Sequence, residues 1–198
     1  MRRTVVYFHS LSSPWAYLGG PHFHALIEKH DLDVVLRPTT IVTENGGIPL
    51  RTRPDARRSY HELELDRWRK RLGMKLELRP KHYPTDPQYS ARMVIAADRL
   101  GWNALALSHA LLAAIWADEL DVGEPTTRGV VAESIGLDGQ RPLELQDTPE
   151  IMAVWQASHE EAKQAGVFGT PTYVLDGERF WGQDRLDFLD ERLSSQGS

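Results

Sequence analysis

Three short stretches of this chain carry residue types that could act together chemically. The first is Ser13-Pro14, which reads as a helix start, with serine as N-cap and proline as the first helical residue. Free N–H groups and the positive end of the helix dipole favour an anion there. A hydroxyl in that place can donate to a thiolate carried in by a ligand, lowering that thiol's pKa from about 8.5 toward neutrality. Its plainer role is to cap the helix. The second stretch is Thr170-Pro171, between Gly169 and the β-rich Thr172-Tyr173-Val174. Held cis, this proline leaves the N–H and C=O of Thr170 free to pair with an extended peptide ligand. Held trans, it simply opens an edge strand. The third is Gln183-Asp184, at the start of a last helix, where an acid in the first turn also favours its own helix.

The elements that must position these residues follow from the pattern. Thr4 to Phe8 is β-branched and aromatic and reads as a buried strand. A helix from Ser13 to about His30 leads to a second strand, Asp33 to Leu36, which makes a parallel βαβ opening. Thr40 to Pro54 is punctuated by glycine and proline and reads as a loop. Helical patterns then run from about Asp55 to Leu72, Gln88 to Leu100, Trp102 to Glu119, Thr126 to Ile135 and Thr148 to Ala165. Two strands, Thr172 to Leu175 and Glu178 to Trp181, flank an Asp176-Gly177 hairpin turn. A final helix follows, and Ser194 to Ser198 reads as a disordered tail. The order βαβ, five helices, ββα is an α/β thioredoxin-like layout with an all-helical insertion between its halves. Residues 1–40 and 166–198 would form the two halves and 41–165 the insertion.

Composition narrows the chemistry. The chain has 198 residues, 41% of them apolar, enough for a sizeable core. A formal net charge of -5 gives no electrostatic case for nucleic acid. No apolar run approaches the ~20 residues of a membrane span, and no leader precedes the first strand, so the expected location is cytoplasmic. Cysteine is absent, which removes disulfides, thiolate metal sites and protein-thiol nucleophiles. A thioredoxin-like layout with Ser13-Pro14-Trp15-Ala16 where redox members carry Cys-x-x-Cys cannot run dithiol exchange itself. His22 and His24 point to different helix faces, and His61-Glu62 lacks the second histidine of a zinc-protease helix. His109 reads as a core histidine and Arg67 to Arg71 as a solvated charge run. No metal is assigned.

Three motifs in register resemble a known family. Ser13-Pro14-Trp15-Ala16-Tyr17-Leu18-Gly19 is similar to the start of the 2-hydroxychromene-2-carboxylate isomerases and the related kappa-class glutathione transferases. Gly166-Val167-Phe168-Gly169-Thr170-Pro171-Thr172 resembles their proline loop. Phe180-Trp181-Gly182-Gln183-Asp184-Arg185-Leu186 resembles their C-terminal signature, nearest the isomerase form. The resemblance implies that Ser13 holds the thiolate of a glutathione cofactor and that Thr170, before Pro171, pairs with its cysteinyl backbone. Gln183 and Asp184 would bind the γ-glutamyl end, Asp184 facing the ammonium. Asn45 falls where the relatives carry an asparagine near the active site. Arg57 falls where they carry a basic residue, either to anchor the carboxylate of a small aromatic substrate or as one solvated charge. The resemblance also suggests a homodimer. His9-Ser10 in place of a common Phe-Asp, and the bulky Trp15, depart from the isomerases.

Three functions are open at this point. A glutathione-dependent cis–trans isomerase would use conjugate addition, bond rotation and elimination. A transferase would leave glutathione on the electrophile. A redox-inactive thioredoxin-like module would bind a peptide without chemistry.

Overall fold

Thr4–His9 (β1) is an inner strand of a four-stranded sheet in the computed structural model, which describes residues 2–195. Its Val5, Phe8 and His9 are at most 2% exposed, so both faces of the strand are covered. Helix α1 (Pro14–His30) carries the chain to Asp33–Pro38 (β2), parallel to β1 as a helical crossover requires. Thr172–Leu175 (β3) pairs antiparallel with the other side of β1, and Glu178–Trp181 (β4) pairs antiparallel with β3. The β3–β4 turn places Asp176 and Gly177 at φ 52° and 82°, the positive pair that a two-residue hairpin needs. The sheet order is therefore β2-β1-β3-β4.

Six helices lie between β2 and β3: α2 (Asp55–Leu72), α3 (Pro87–Arg99), α4 (Ala104–Trp116), α5 (Pro125–Ser134), α6 (Gln140–Leu145) and α7 (Pro149–Gln164). The sequence pattern leads to five. Helix α6 escapes it because Arg141-Pro142 reads as a breaker. At the third helical position, however, the missing proline N–H is one that has no intrahelical acceptor in any case. A last helix, α8 (Leu186–Ser194), follows β4. Ser195 donates its N–H to Glu191 O at 2.9 Å, so the expected tail begins no earlier than 196, and residues 196–198 lie outside the described residues. No helix among the described residues is long and apolar enough to cross a membrane.

One core joins the helices to the sheet. Val5, Tyr7, Leu18 and Phe23 pack with Leu107, Leu111 and Ile115 of α4 and with Leu175, Leu186 and Leu189. Helices α1 and α4 approach so closely that a Cβ on Gly20 would sit 2.2 Å from His109 Nδ1. His109 is stacked on Tyr17, so its ring has little room to retreat.

His9 has an unusual place at the end of β1. It is 0% exposed, its ring stacks on Tyr7 with centroids 4.3 Å apart, and Nε2 meets Ser108 Oγ at 2.7 Å. Nδ1 faces the Tyr7 carbonyl, which only accepts, so Nδ1 carries the proton and the Ser108 hydroxyl donates to Nε2. Burial holds the imidazole down to about 4. In the unfolded chain it titrates near 6.5, so acid protonates the unfolded state first. Stability is expected to fall by about 3 kcal/mol as pH drops from about 6.5 to about 4. His9→Gln should flatten that slope in denaturant titrations across this window.

Candidate active site

Strand register gathers the site. Phe8 is opposite Thr172, and Thr172 is opposite Trp181. The chain leaving β1, the chain entering β3 and the chain leaving β4 therefore meet at one end of the sheet. Those segments are Ser10–Ser13, Thr170–Pro171 and Gly182–Asp184. The loop after β2 starts at the same end, where Thr39 N–H donates to His9 O at 2.8 Å.

Ser13 caps α1 in extended conformation, φ -82° and ψ 119°, with Pro14 opening the helix. Its Oγ accepts from Ala16 N–H at 3.2 Å and donates to Thr170 O at 3.4 Å. That donation is longer than an ordinary O–H···O bond, so the proton is easily turned toward a better acceptor. The Thr170–Pro171 bond is cis. Thr170 is half-buried, and its N–H has no partner among the described residues. Pro171 O accepts from Gly182 N–H at 2.9 Å, which ties the chain after β4 to the proline loop. Phe168 and Trp181 pack edge to face, 4.6 Å between centroids, along the same loop.

Three of the expected site residues have surroundings that the sequence does not specify. Asn45 spends both amide N–H groups on backbone carbonyls, Lys163 O at 2.9 Å and Val167 O at 2.8 Å. It clamps its loop to the end of α7 and has no donor left for a substrate oxyanion. Next to it, a Cβ on Gly47 would lie 2.2 Å from Phe168 O, so this loop is seated directly on the proline loop. Gln183 is 5% exposed. Its Cβ packs under Gly19 of α1 beside the Tyr173 hydroxyl, and Nε2 is sealed from solvent. That Nε2 has no hydrogen-bond partner among the described residues. Arg57 is exposed in the first turn of α2 and makes no ion pair among the described residues. Asp184, by contrast, stays at the surface beside Gly182, with Oδ2 on Arg185 Nη1 at 2.7 Å.

Two groups have no place in the site as read from the sequence. His61 of α2 meets Trp15 edge-on, and Arg53 lies half-buried before α2, with Nε and Nη2 donating to Ile48 O at 3.0 and 2.8 Å. Burial, then the nearby Arg53 charge, holds His61 down to about 4, so it is neutral at pH 7. Burial, then Arg57, pulls the Arg53 guanidinium below its ordinary value. Helix α2 buries only Leu65 fully, so no apolar stripe announces which face meets α1.

Known proteins resemble this chain along its length. A 2-hydroxychromene-2-carboxylate isomerase of Sphingobium xenophagum is 26% identical, covering 98% of this chain and 99% of its own. Human glutathione S-transferase kappa 1 is also 26% identical, over 98% of this chain and 92% of its own. A solved 2-hydroxychromene-2-carboxylate isomerase superposes with a TM-score of 0.80 at 22% identity, covering 97% of this chain and 95% of the other, a likeness of fold. The DSBA-like thioredoxin domain matches residues 4–194, nearly the whole chain. With its mixed four-stranded sheet, βαβ and ββα halves and helices between them, this chain belongs to the family of DSBA-like thioredoxin domains.

Proposed function

We propose that this protein is a glutathione-dependent cis–trans isomerase of an aromatic degradation intermediate of the 2-hydroxychromene-2-carboxylate kind. The observation that carries this reading is the Ser13 hydroxyl. It sits at a helix N-terminus, 3.4 Å from Thr170 O, in a chain without cysteine. The site fits a γ-glutamyl peptide with a thiol. Thr170 offers an unengaged N–H beside its carbonyl, as an extended peptide needs. Asp184 offers a carboxylate for an ammonium group. Bound there, glutathione would supply a thiolate, the nucleophile that this chain lacks. Ser13 donates to that sulfur and, with the α1 N-terminus, favours its charged form. Pro171 shapes the loop, Asn45 holds the neighbouring backbone in place, and Gln183, whose Nε2 has no partner among the described residues, would serve the γ-glutamyl end. Two named relatives, an isomerase and a kappa glutathione transferase, support a glutathione-linked reaction.

Calorimetric titration with reduced glutathione tests the cofactor assignment. Saturable binding is expected, and Asp184→Ala should weaken it at least tenfold, about 1.4 kcal/mol. Absence of binding at millimolar glutathione would remove the thiol mechanism. The kappa relative makes a transferase the second reading. Stoichiometric loss of glutathione during turnover would favour it, whereas an isomerase returns glutathione unchanged.

A further inference from the structure

Helices α3 and α7 both pack against β2, the edge strand on the opposite side of β1 from β3 and the proline loop. The three elements enclose a cavity of about 210 Å³, and α7 offers only the small Ala157 and Ser158 to it between Val154 and Glu161. Its inner wall is aliphatic, with Leu36 and Val94 buried. Its rim is charged. Arg37 of β2 pairs with Glu161 of α7, so these two neutralise each other. Arg99 Nε comes only within 3.9 Å of Glu150 Oε1, beyond hydrogen-bond reach. Asp98 is exposed on the same rim and makes no ion pair among the described residues. Ser158 is 1% exposed and donates its hydroxyl to Val154 O at 2.9 Å, which leaves its oxygen able to accept. One loosely engaged guanidinium and one unengaged carboxylate thus flank an aliphatic pit. The pit is smaller than the roughly 300–1,000 Å³ of drug-sized sites.

We infer that this cavity is a second ligand site and takes a free α-amino acid with a branched aliphatic side chain. None of its lining residues belongs to the Ser13 site, so it stands independently of the thiol reading. Each part of such a molecule has a counterpart. The Arg99 guanidinium takes the carboxylate through paired N–H donors. The Asp98 carboxylate takes the ammonium, which can also donate to the Ser158 oxygen. The side chain leaves water for the wall of Leu36, Val94 and Val154. A plain carboxylic acid would bring its charge beside Asp98 with nothing in return, and a plain amine would do the same beside Arg99. The rim therefore discriminates against both.

Calorimetric titration with four probes tests this site. Free leucine carries all three features, 4-methylpentanoate lacks the ammonium, 3-methylbutylamine lacks the carboxylate and glycine lacks the aliphatic chain. Wild type is expected to bind leucine saturably and at least about tenfold more tightly than any of the others. Asp98→Asn should weaken leucine about tenfold without weakening 4-methylpentanoate. Arg99→Gln should weaken leucine and 4-methylpentanoate about tenfold without weakening 3-methylbutylamine. Ala157→Phe should fill the pit and abolish leucine binding, while thermal midpoints show which variants fold. Should Ala157→Phe fail to fold, Ala157→Leu carries the same expectation. Absence of leucine binding to wild type at millimolar concentration would overturn the site. So would equal binding of leucine and glycine, or leucine bound as tightly by Asp98→Asn and the filled variant as by wild type.

Discussion

Ser13→Ala is expected to lower kcat roughly 100-fold, the usual consequence of removing one donor aimed at the charge on which a reaction depends. Three observations set the direction. Ser13 Oγ has only a long bond to Thr170 O competing for its proton. It lies at the positive end of the 17-residue helix α1. No cysteine anywhere in the chain can take over the nucleophile's role. Glutathione affinity should change by no more than about threefold, because Thr170 and Asp184 would supply the peptide contacts. The distinguishing readout is the thiolate absorbance of bound glutathione against pH. Its midpoint should return toward about 8.5 in the variant and lie lower in wild type. Losing the cap to Ala16 N–H should also cost about 1 kcal/mol of stability, visible in urea denaturation. An unchanged kcat would reduce Ser13 to a helix cap.

Gly47→Ala is expected to do the most damage of any single methyl group near the site. The added carbon would sit 2.2 Å from Phe168 O and 2.7 Å from Val42 O, and both of those atoms are backbone. Backbone oxygens cannot step aside by a change of rotamer, so one of the two loops must move. Asn45 ties the same loop to Lys163 O and Val167 O, which resists that movement. Overpacking of this kind costs about 1–3 kcal/mol. Because Phe168 precedes Thr170 by two residues, glutathione affinity should fall together with the thermal midpoint. Gly46→Ala is the control for site geometry: its Cβ would meet nothing within 4 Å, and only its φ of +85° disfavours the change. It should cost about 1 kcal/mol of stability and leave affinity intact. Equal affinities for Gly47→Ala and wild type would show that the proline loop does not depend on this contact.

Much of this arrangement is legible from local signals. The β-branched run at Val5-Val6, the Ser13-Pro14 helix start and the Asp176-Gly177 turn each declare themselves within a few residues. Once the βαβ and ββα halves are recognised, strand order brings Ser13, Thr170 and Gly182–Asp184 to one end of the sheet. What the sequence withholds is the direction in which side chains turn. Gln183 and Asp184 are neighbours of similar polarity, yet one is packed under Gly19 and the other faces water. Asn45 could be a substrate contact or a clamp until the end of α7 is seen beside it. Arg53 and Arg57 are both basic residues around Pro54, and only the folded chain shows that the first is tied to Ile48 O while the second makes no ion pair among the described residues. The first two are consequences of packing between distant segments, which hydrophobic periodicity does not encode.

The bond from Ser13 to Thr170 spans 157 positions. Contacts so far apart in sequence are costly to close and tend to form late in folding. The two halves of this site come into register only when β3 docks on β1, after the whole helical stretch has been made. A nascent or truncated chain that ends before Thr170 can therefore build α1 and its cap, but it holds only half of a binding surface. Any ligand gripped between these two residues acts on the final assembly step. It raises stability by RT ln(1 + [L]/Kd) and leaves earlier partly folded states untouched. Ligand protection measured during refolding would then time the closing of the sheet, so the protein carries its own reporter of when the chain is complete.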